Sequence, residues 1–270
     1  MTKLNSPIEI LKILDKSNCK ACGYTTCLAF ASAVFKGQKS LAECPHLERD
    51  VVEELEGKSE CSRSVEPNLE EPIDELRKRL KTIDLATAAM RLGAKYSDNK
   101  LTLKICGKDF SVDREGNFYS EIHIHSWITL PLLNYILDGA GKPVTGTWVS
   151  FRELKNGTDW YRFFVHKCEK PLKMVADSYP GLFEDMLHIF NGQKVENHYE
   201  SDISLVLYPL PKLPILICYW KPEDGLESSL NLFFDSTASE NINIESIYSL
   251  GTGLVTMFEK IALRHGQKKA

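Results

Sequence analysis

Four thiols spaced C-x2-C-x4-C-x16-C-P are the residues of this chain best placed to do chemistry: Cys19, Cys22, Cys27 and Cys44. Closely spaced thiolates are ligands for iron or zinc. The C-x2-C loop lets Cys19 and Cys22 reach adjacent corners of a metal site, and Gly23 relieves crowding where the backbone approaches inorganic sulfide. Cys27 is expected at the start of a helix, where the dipole and free N–H groups favour an anionic sulfur. The gap before Cys44 accommodates a helix of about eleven residues, ~16 Å long, and a return loop. Structural zinc more usually draws on two short knuckles, of which only one is present. A plant-type two-iron cluster has its C-x4-C and C-x2-C spacings in the reverse order. The spacing therefore favours one four-iron, four-sulfur cluster over zinc. A fifth cysteine, Cys61, lies in a polar stretch and is read as an unpaired thiol, with a spare ligand or redox thiol as the alternative.

The elements that position these thiols follow from pattern and punctuation. Ser6-Pro7 opens a helix through "IEILKIL", with serine as cap and proline at the first helical position. A second helix is expected from Thr26 to Lys36, ended by Gly37, and a polar helix follows "CPHLER". Residues 57–72, "GKSECSRSVEPNLEEP", are polar with two prolines and read as a linker. Three segments result: a metal-binding module at 1–56, the linker at 57–72 and a larger domain at 73–270. In the larger domain a helical pattern spans 73–92. "LTLKICGKDFSVDREGNFYSEIHIH" reads as two or three short strands, "ITLPLLNYILDGAG" as a helix, and "TGTWVSFREL" as loop or short strand. Residues 160–192 are mostly helical with a break at "YPG". "DISLVLYPLP", "LPILICYW" and "LNLFFD" read as strands, the last two central because they are almost continuously apolar. An amphipathic helix closes the chain. The fold class is α+β, a small mainly helical module followed by a mainly antiparallel sheet covered by helices.

Composition sets the class. Apolar residues make up 43% of 270, net charge is −4 and the pI is near 6.0. These values fit a folded protein and argue against a nucleic-acid binder. The N-terminus is too polar for a signal peptide, and no apolar run approaches the ~20 residues that cross a bilayer. A reducing cytoplasm is therefore expected, where thiols serve as ligands, catalysts or small core residues rather than disulfides.

Residues 17–47 resemble the small [4Fe-4S] domain found in corrinoid/iron–sulfur protein large subunits and in the iron–sulfur B component of Rnf-type electron-transport complexes. The resemblance rests on the four cysteines, Gly23, Phe30-Ala31, Gly37 and Cys44-Pro45. It implies Cys19, Cys22, Cys27 and Cys44 as ligands of one [4Fe-4S] cluster, and a setting in anaerobic corrinoid or methyl-transfer metabolism. It does not imply corrinoid binding, because the barrel and cobalamin-binding domains of those large subunits have no counterpart here. From about residue 80 the chain resembles the uncharacterised family "domain of unknown function 3786", through "GTWVSFREL", "LYPLPKLPILICYW", "LNLFFD" and the acidic residues after Trp220. That resemblance brings a fold and no reaction. Glu223, Asp224 and Glu227 remain in the acidic stretch, but Gly225 interrupts it and weakens a metal-site reading.

No catalytic constellation stands out in the larger domain. "IHIH" places His123 and His125 on one side of a strand without a third ligand. His166 lies near Cys168, with no orienting group evident for a nucleophile. "LGTG" lacks the context of a dinucleotide fingerprint. Asp235 reads as a turn cap, and Trp148, Trp160 and Trp220 as core or rim aromatics. The expected function is a one-electron carrier or redox accessory protein with a protein redox partner, a corrinoid or methyltransferase protein among the candidates. Lys16, Lys20, Lys36 and Lys39 are available to steer an acidic partner. A redox enzyme with its active site in the larger domain and a metal-handling or maturation protein are the alternatives.

Overall fold

The computed structural model describes residues 7–35, 39–47, 52, 70–196 and 198–266. The chain divides into two compact units, Met1–Leu69 and Glu70–Ala270. Residues 57–69 of the expected linker, Cys61 among them, lie outside the described residues, and the first helix of the second unit already begins at Glu70.

The first unit is helical. α1 (Pro7–Ile13) and α2 (Cys27–Phe35) pack through Ile10, Leu14, Phe30 and Ala31, joined by Leu41 and Val52. Thr26 rather than a helical residue opens α2: its hydroxyl accepts the Ala29 N–H at 3.1 Å, as an N-cap does. Ser40 caps a short 3-10 turn (Leu41–Glu43), with Ser40 and Glu43 bonded reciprocally as a capping box. That turn delivers Cys44. The expected ends at Lys36 and Gly37 lie outside the described residues, as does all of the following polar helix except Val52.

The second unit is α+β with two antiparallel sheets. α3 (Glu70–Leu80) and α4 (Leu85–Leu92) replace the single helix expected over 73–92. Asp84 breaks it by accepting the N–H groups of Ala86 and Thr87 at 3.2 and 3.1 Å, which starts a new helix. β1 (Lys95–Ser97), β2 (Lys100–Ile105), β3 (Lys108–Asp113) and β4 (Phe118–Ser120) then form a meander in that order. Two-residue turns at Asp98-Asn99 and Cys106-Gly107, all with positive φ, match the twist of such hairpins.

α5 (Ser126–Asp138) leads to the second sheet, ordered β5-β9-β8-β7-β6. Its strands are β5 (Trp148–Ser150), β6 (Gln193–Lys194), β7 (Ile203–Leu210), β8 (Leu213–Trp220) and β9 (Ser229–Asp235). Seven of the eight β8 residues are buried, as befits a central strand. The Cys106 N–H donates to Tyr208 O at 2.9 Å and ties the two sheets together. α6 (Gly157–Phe164), a π-turn at Val165–Glu169, α7 (Lys170–Ser178) and α8 (Leu182–His188) fill the 160–192 region. After the short α9 (Ala238–Asn241), α10 (Ile244–Gly266) packs on α5, α6 and α7. Helices cover one face of the second sheet. On the other face Val206, Leu216 and Cys218 are covered by Trp148, Tyr208, Trp220 and Phe233.

Among the described residues, no helix is long and apolar enough to cross a membrane.

Candidate metal centre

The 14–27 loop holds three of the four thiols. Positive φ at Lys16, Asn18, Lys20 and Gly23 (61°, 52°, 63° and 82°) alternates with negative φ between them. Gly23 closes a turn through its N–H to Lys20 O at 3.0 Å. A Cβ at Gly23 would meet no atom within 4 Å, so its left-handed φ, not crowding by the protein, calls for glycine.

Cys27 is the first residue of α2, as the spacing predicts. Its partner is one that the sequence reading passed over. The Asn18 N–H points at Cys27 Sγ (3.4 Å), and Asn18 Oδ1 accepts the Cys27 N–H at 2.7 Å. Asparagine tolerates the left-handed conformation and can make both bonds at once. The available signal was its type, immediately before the first cysteine. An N–H directed at sulfur stabilises a thiolate ligand.

All four cysteines are free thiols, graded from exposed Cys19 through half-buried Cys22 and Cys27 to Cys44 at 9% exposure. The apolar cluster of Ile10, Leu14, Phe30 and Leu41 backs Cys44, Cys22 and Cys27 on the protein side. Among the described residues no three His, Cys, Asp or Glu side chains converge tightly enough to hold a single metal ion. Free thiols, an N–H on sulfur and an apolar wall are fitting surroundings for an iron–sulfur cluster.

Lys39 forms an ion pair with Glu43. The hydrogen bond from Lys39 holds the Glu43 carboxyl below its ordinary range, and the same bond holds the Lys39 ammonium above its own. Lys39 is thus neutralised locally, while Lys16 and Lys20 are exposed. Lys36 lies outside the described residues.

In the second unit, β4 ends at Ser120, so His123 and His125 are not on a strand. Ser120 Oγ takes the Ile122 N–H at 3.1 Å and turns the chain out of the ladder, and His125 becomes the N-cap residue of α5. The two rings stand 5.9 Å apart in an exposed crossover.

Cys168 has no exposed surface. Burial, with Glu169 beside it, pushes its thiol far above the usual range, the reverse of an activated nucleophile. "LGTG" lies inside α10, where a Cβ on Gly253 would stand 2.0 Å from Trp127, so that glycine serves helix packing.

Asp235 is a cap, as expected. It is fully buried and accepts the N–H groups of Gly146, Thr145 and Thr237 at 2.7, 2.9 and 3.0 Å, with the Thr237 hydroxyl at 2.7 Å. Burial opposes its charge, but the bonds from Thr237, Gly146 and Thr145 outweigh burial and hold its carboxyl below the usual range. Glu223, Asp224 and Glu227 are exposed on the β8–β9 hairpin, whose tip turns through Asp224 and Gly225 at positive φ. Trp160 packs against Tyr248 with ring centres 5.2 Å apart.

Comparison with known proteins separates the two units. Residues 14–46, which carry all four thiols, match the family described as "Putative Fe-S cluster". In the N-terminal region the chain is 43% identical over 47 residues to an acetyl-CoA decarbonylase/synthase complex subunit gamma of Methanocaldococcus jannaschii, covering 17% of this chain and 10% of that one. It is 50% identical over 40 residues to the corrinoid/iron-sulfur protein large subunit of Moorella thermoacetica, covering 15% and 9%. The gamma subunit of Archaeoglobus fulgidus is 30% identical over 64 residues, covering 24% and 14%. The chain thus spans about a tenth of the length of the curated relatives it matches. No solved structure matches it. The second match, over residues 84–257, takes in most of the second unit and more than half of the chain, so the protein belongs to the family described as "Domain of unknown function (DUF3786)".

Proposed function

We propose that this protein is a cytoplasmic iron–sulfur protein that carries single electrons, with one [4Fe-4S] cluster held by Cys19, Cys22, Cys27 and Cys44. The observation that carries the reading is the coincidence of these four free thiols with the matched Fe–S segment at 14–46. When bound, the cluster supplies a one-electron couple.

The chain's own residues prepare the site. The Asn18 N–H points at Cys27 Sγ, and the Asn18 side chain holds the Cys27 N–H at the start of α2. Ile10, Leu14, Phe30 and Leu41 keep water from the inner thiols. Cys19 is the exposed ligand and marks the face a redox partner would approach, with Lys16 and Lys20 offering positive charge to an acidic surface.

The named relatives are a complex subunit and a corrinoid protein subunit, which supports protein partners and a place in acetyl-CoA, corrinoid or methyl-transfer metabolism. In this reading residues 1–56 are the cluster module, 57–72 a linker, and 73–270 the domain that recognises the partner.

A potentiometric titration of the anaerobically purified protein tests the function. A reversible couple with the one-electron slope of ~59 mV per decade is expected. Absence of a reversible couple, or loss of the iron to a mild chelator, would replace electron transfer with metal handling.

A further inference from the structure

The second unit contains a cavity of about 720 Å³ between β2, the 121–125 crossover, α5 and the end of α10. That volume lies within the ~300–1,000 Å³ of small-molecule sites. Trp127, Ile128, Phe190, Met257 and Ile261 give it an apolar lining. Gly253 permits this lining: with a Cβ only 2.0 Å from Trp127, any other residue would push the indole off α10. A glycine inside a helix is destabilising relative to alanine, so the close approach is a specific feature of this wall.

The fixed charges around the cavity are mostly positive, beside the polar side chains of His123, His125, Thr252 and Thr256. Lys108, Lys260 and Arg264 line it against a single carboxylate, Glu121, although the whole chain carries −4. Gly253, Met257, Lys260 and Arg264 recur at helical spacing, so one stripe of α10 runs from the apolar wall to exposed positive charge. Among the described residues none of the three cations has an ion-pair partner. Positive charge at an apolar cavity is complementary to an anionic head on an apolar body.

We propose that this cavity binds a small, soluble organic anion with an apolar body, the hydrocarbon or aromatic part against Trp127 and Met257 and the anionic group between Lys260 and Arg264. The site belongs to the second unit alone and does not depend on the cluster assignment.

Calorimetric titration of the full-length protein with octanoate, 1-octanol and octylammonium tests it. Octanoate is expected to bind at least tenfold more tightly than octanol, and octylammonium more weakly than either. The double variant Lys260→Gln/Arg264→Gln should weaken octanoate about tenfold and leave octanol unchanged. Thr256→Trp, at an exposed position lining the cavity, should weaken both by filling it; circular dichroism checks that each variant is folded. Equal affinity for the three probes, no binding of any, or unchanged octanoate affinity in the double variant would overturn the proposal. So would sedimentation with phosphatidylglycerol vesicles that octanoate does not displace, which would assign the face to a lipid surface.

Discussion

Removing the Asp235 carboxylate should destabilise the second unit by an amount that can be worked from its contacts. Asp235→Ala strips the acceptor from three backbone N–H groups, those of Thr145, Gly146 and Thr237. An unsatisfied donor costs about 1–3 kcal/mol when buried, and Thr145 and Gly146 are exposed residues where water can replace part of the lost acceptor. The donors share one acceptor and the loop can relax, so the sum falls short of three full penalties, at ~3–5 kcal/mol. Asp235→Asn keeps one acceptor oxygen but turns an NH2 toward the donors, for ~2–3 kcal/mol. At roughly 2–4 °C per kcal/mol for a unit of this size, the alanine variant should melt about 6–20 °C lower. Tryptophan fluorescence is a suitable probe, because Trp148 pairs with Asp235 across β5 and β9.

The same carboxylate makes a pH prediction. Its folded pKa is depressed, so its ionic stabilisation is fully present above the unfolded value of about 3.9. That contribution is lost as pH falls through the folded pKa. The gap in urea midpoint between wild type and Asp235→Asn should therefore be constant near neutral pH and narrow below about pH 4. An alanine variant within ~0.5 kcal/mol of wild type, or a gap that widens in acid, would refute the reasoning.

Other perturbations follow from the same geometry. Asn18→Gly loses the 2.7 Å bond to the Cys27 N–H, and Asn18→Ala loses it too while keeping a β-carbon at φ 52°, which costs about 1 kcal/mol more than glycine there. Cluster absorbance under air should bleach slowest in wild type, faster in the glycine variant and fastest in the alanine variant; equal rates would remove Asn18 from the site. Burial pushes the Cys106 thiol up to about 12, leaving its thiolate fraction on the order of 1,000-fold below that of an ordinary cysteine. In metal-free native protein, iodoacetamide should label Cys19 and spare Cys106 and Cys168 until the chain unfolds, as read by peptide mass spectrometry. Labelling of Cys168 at the rate of Cys19 would restore it as a candidate nucleophile.

What was legible in the sequence was local. The cysteine ladder lies within 26 consecutive residues, and the start of α2 at Cys27 follows from it. The continuous apolar runs in β8 and β9 announced central strands, and the sheet order bears this out. "IHIH" misled because alternation alone cannot show where the ladder ends; a single side-chain bond from Ser120 turns the chain away. The helix over 73–92 misled for a related reason. Leu80 and Leu85 both enter the core, so the apolar pattern continues across a break made by Asp84. β1 and β6 went unseen because they are short edge strands with little apolar content. The cavity was out of reach of pattern, because Trp127 and Gly253 meet only through tertiary packing.

The central claim rests on one determination: iron and acid-labile sulfide per chain in protein produced and purified without oxygen, with EPR before and after dithionite. The account predicts about four of each, and a paramagnetic signal on reduction that is lost in Cys27→Ser. Bound zinc without sulfide, or a full cluster surviving Cys27→Ser unchanged, would contradict it.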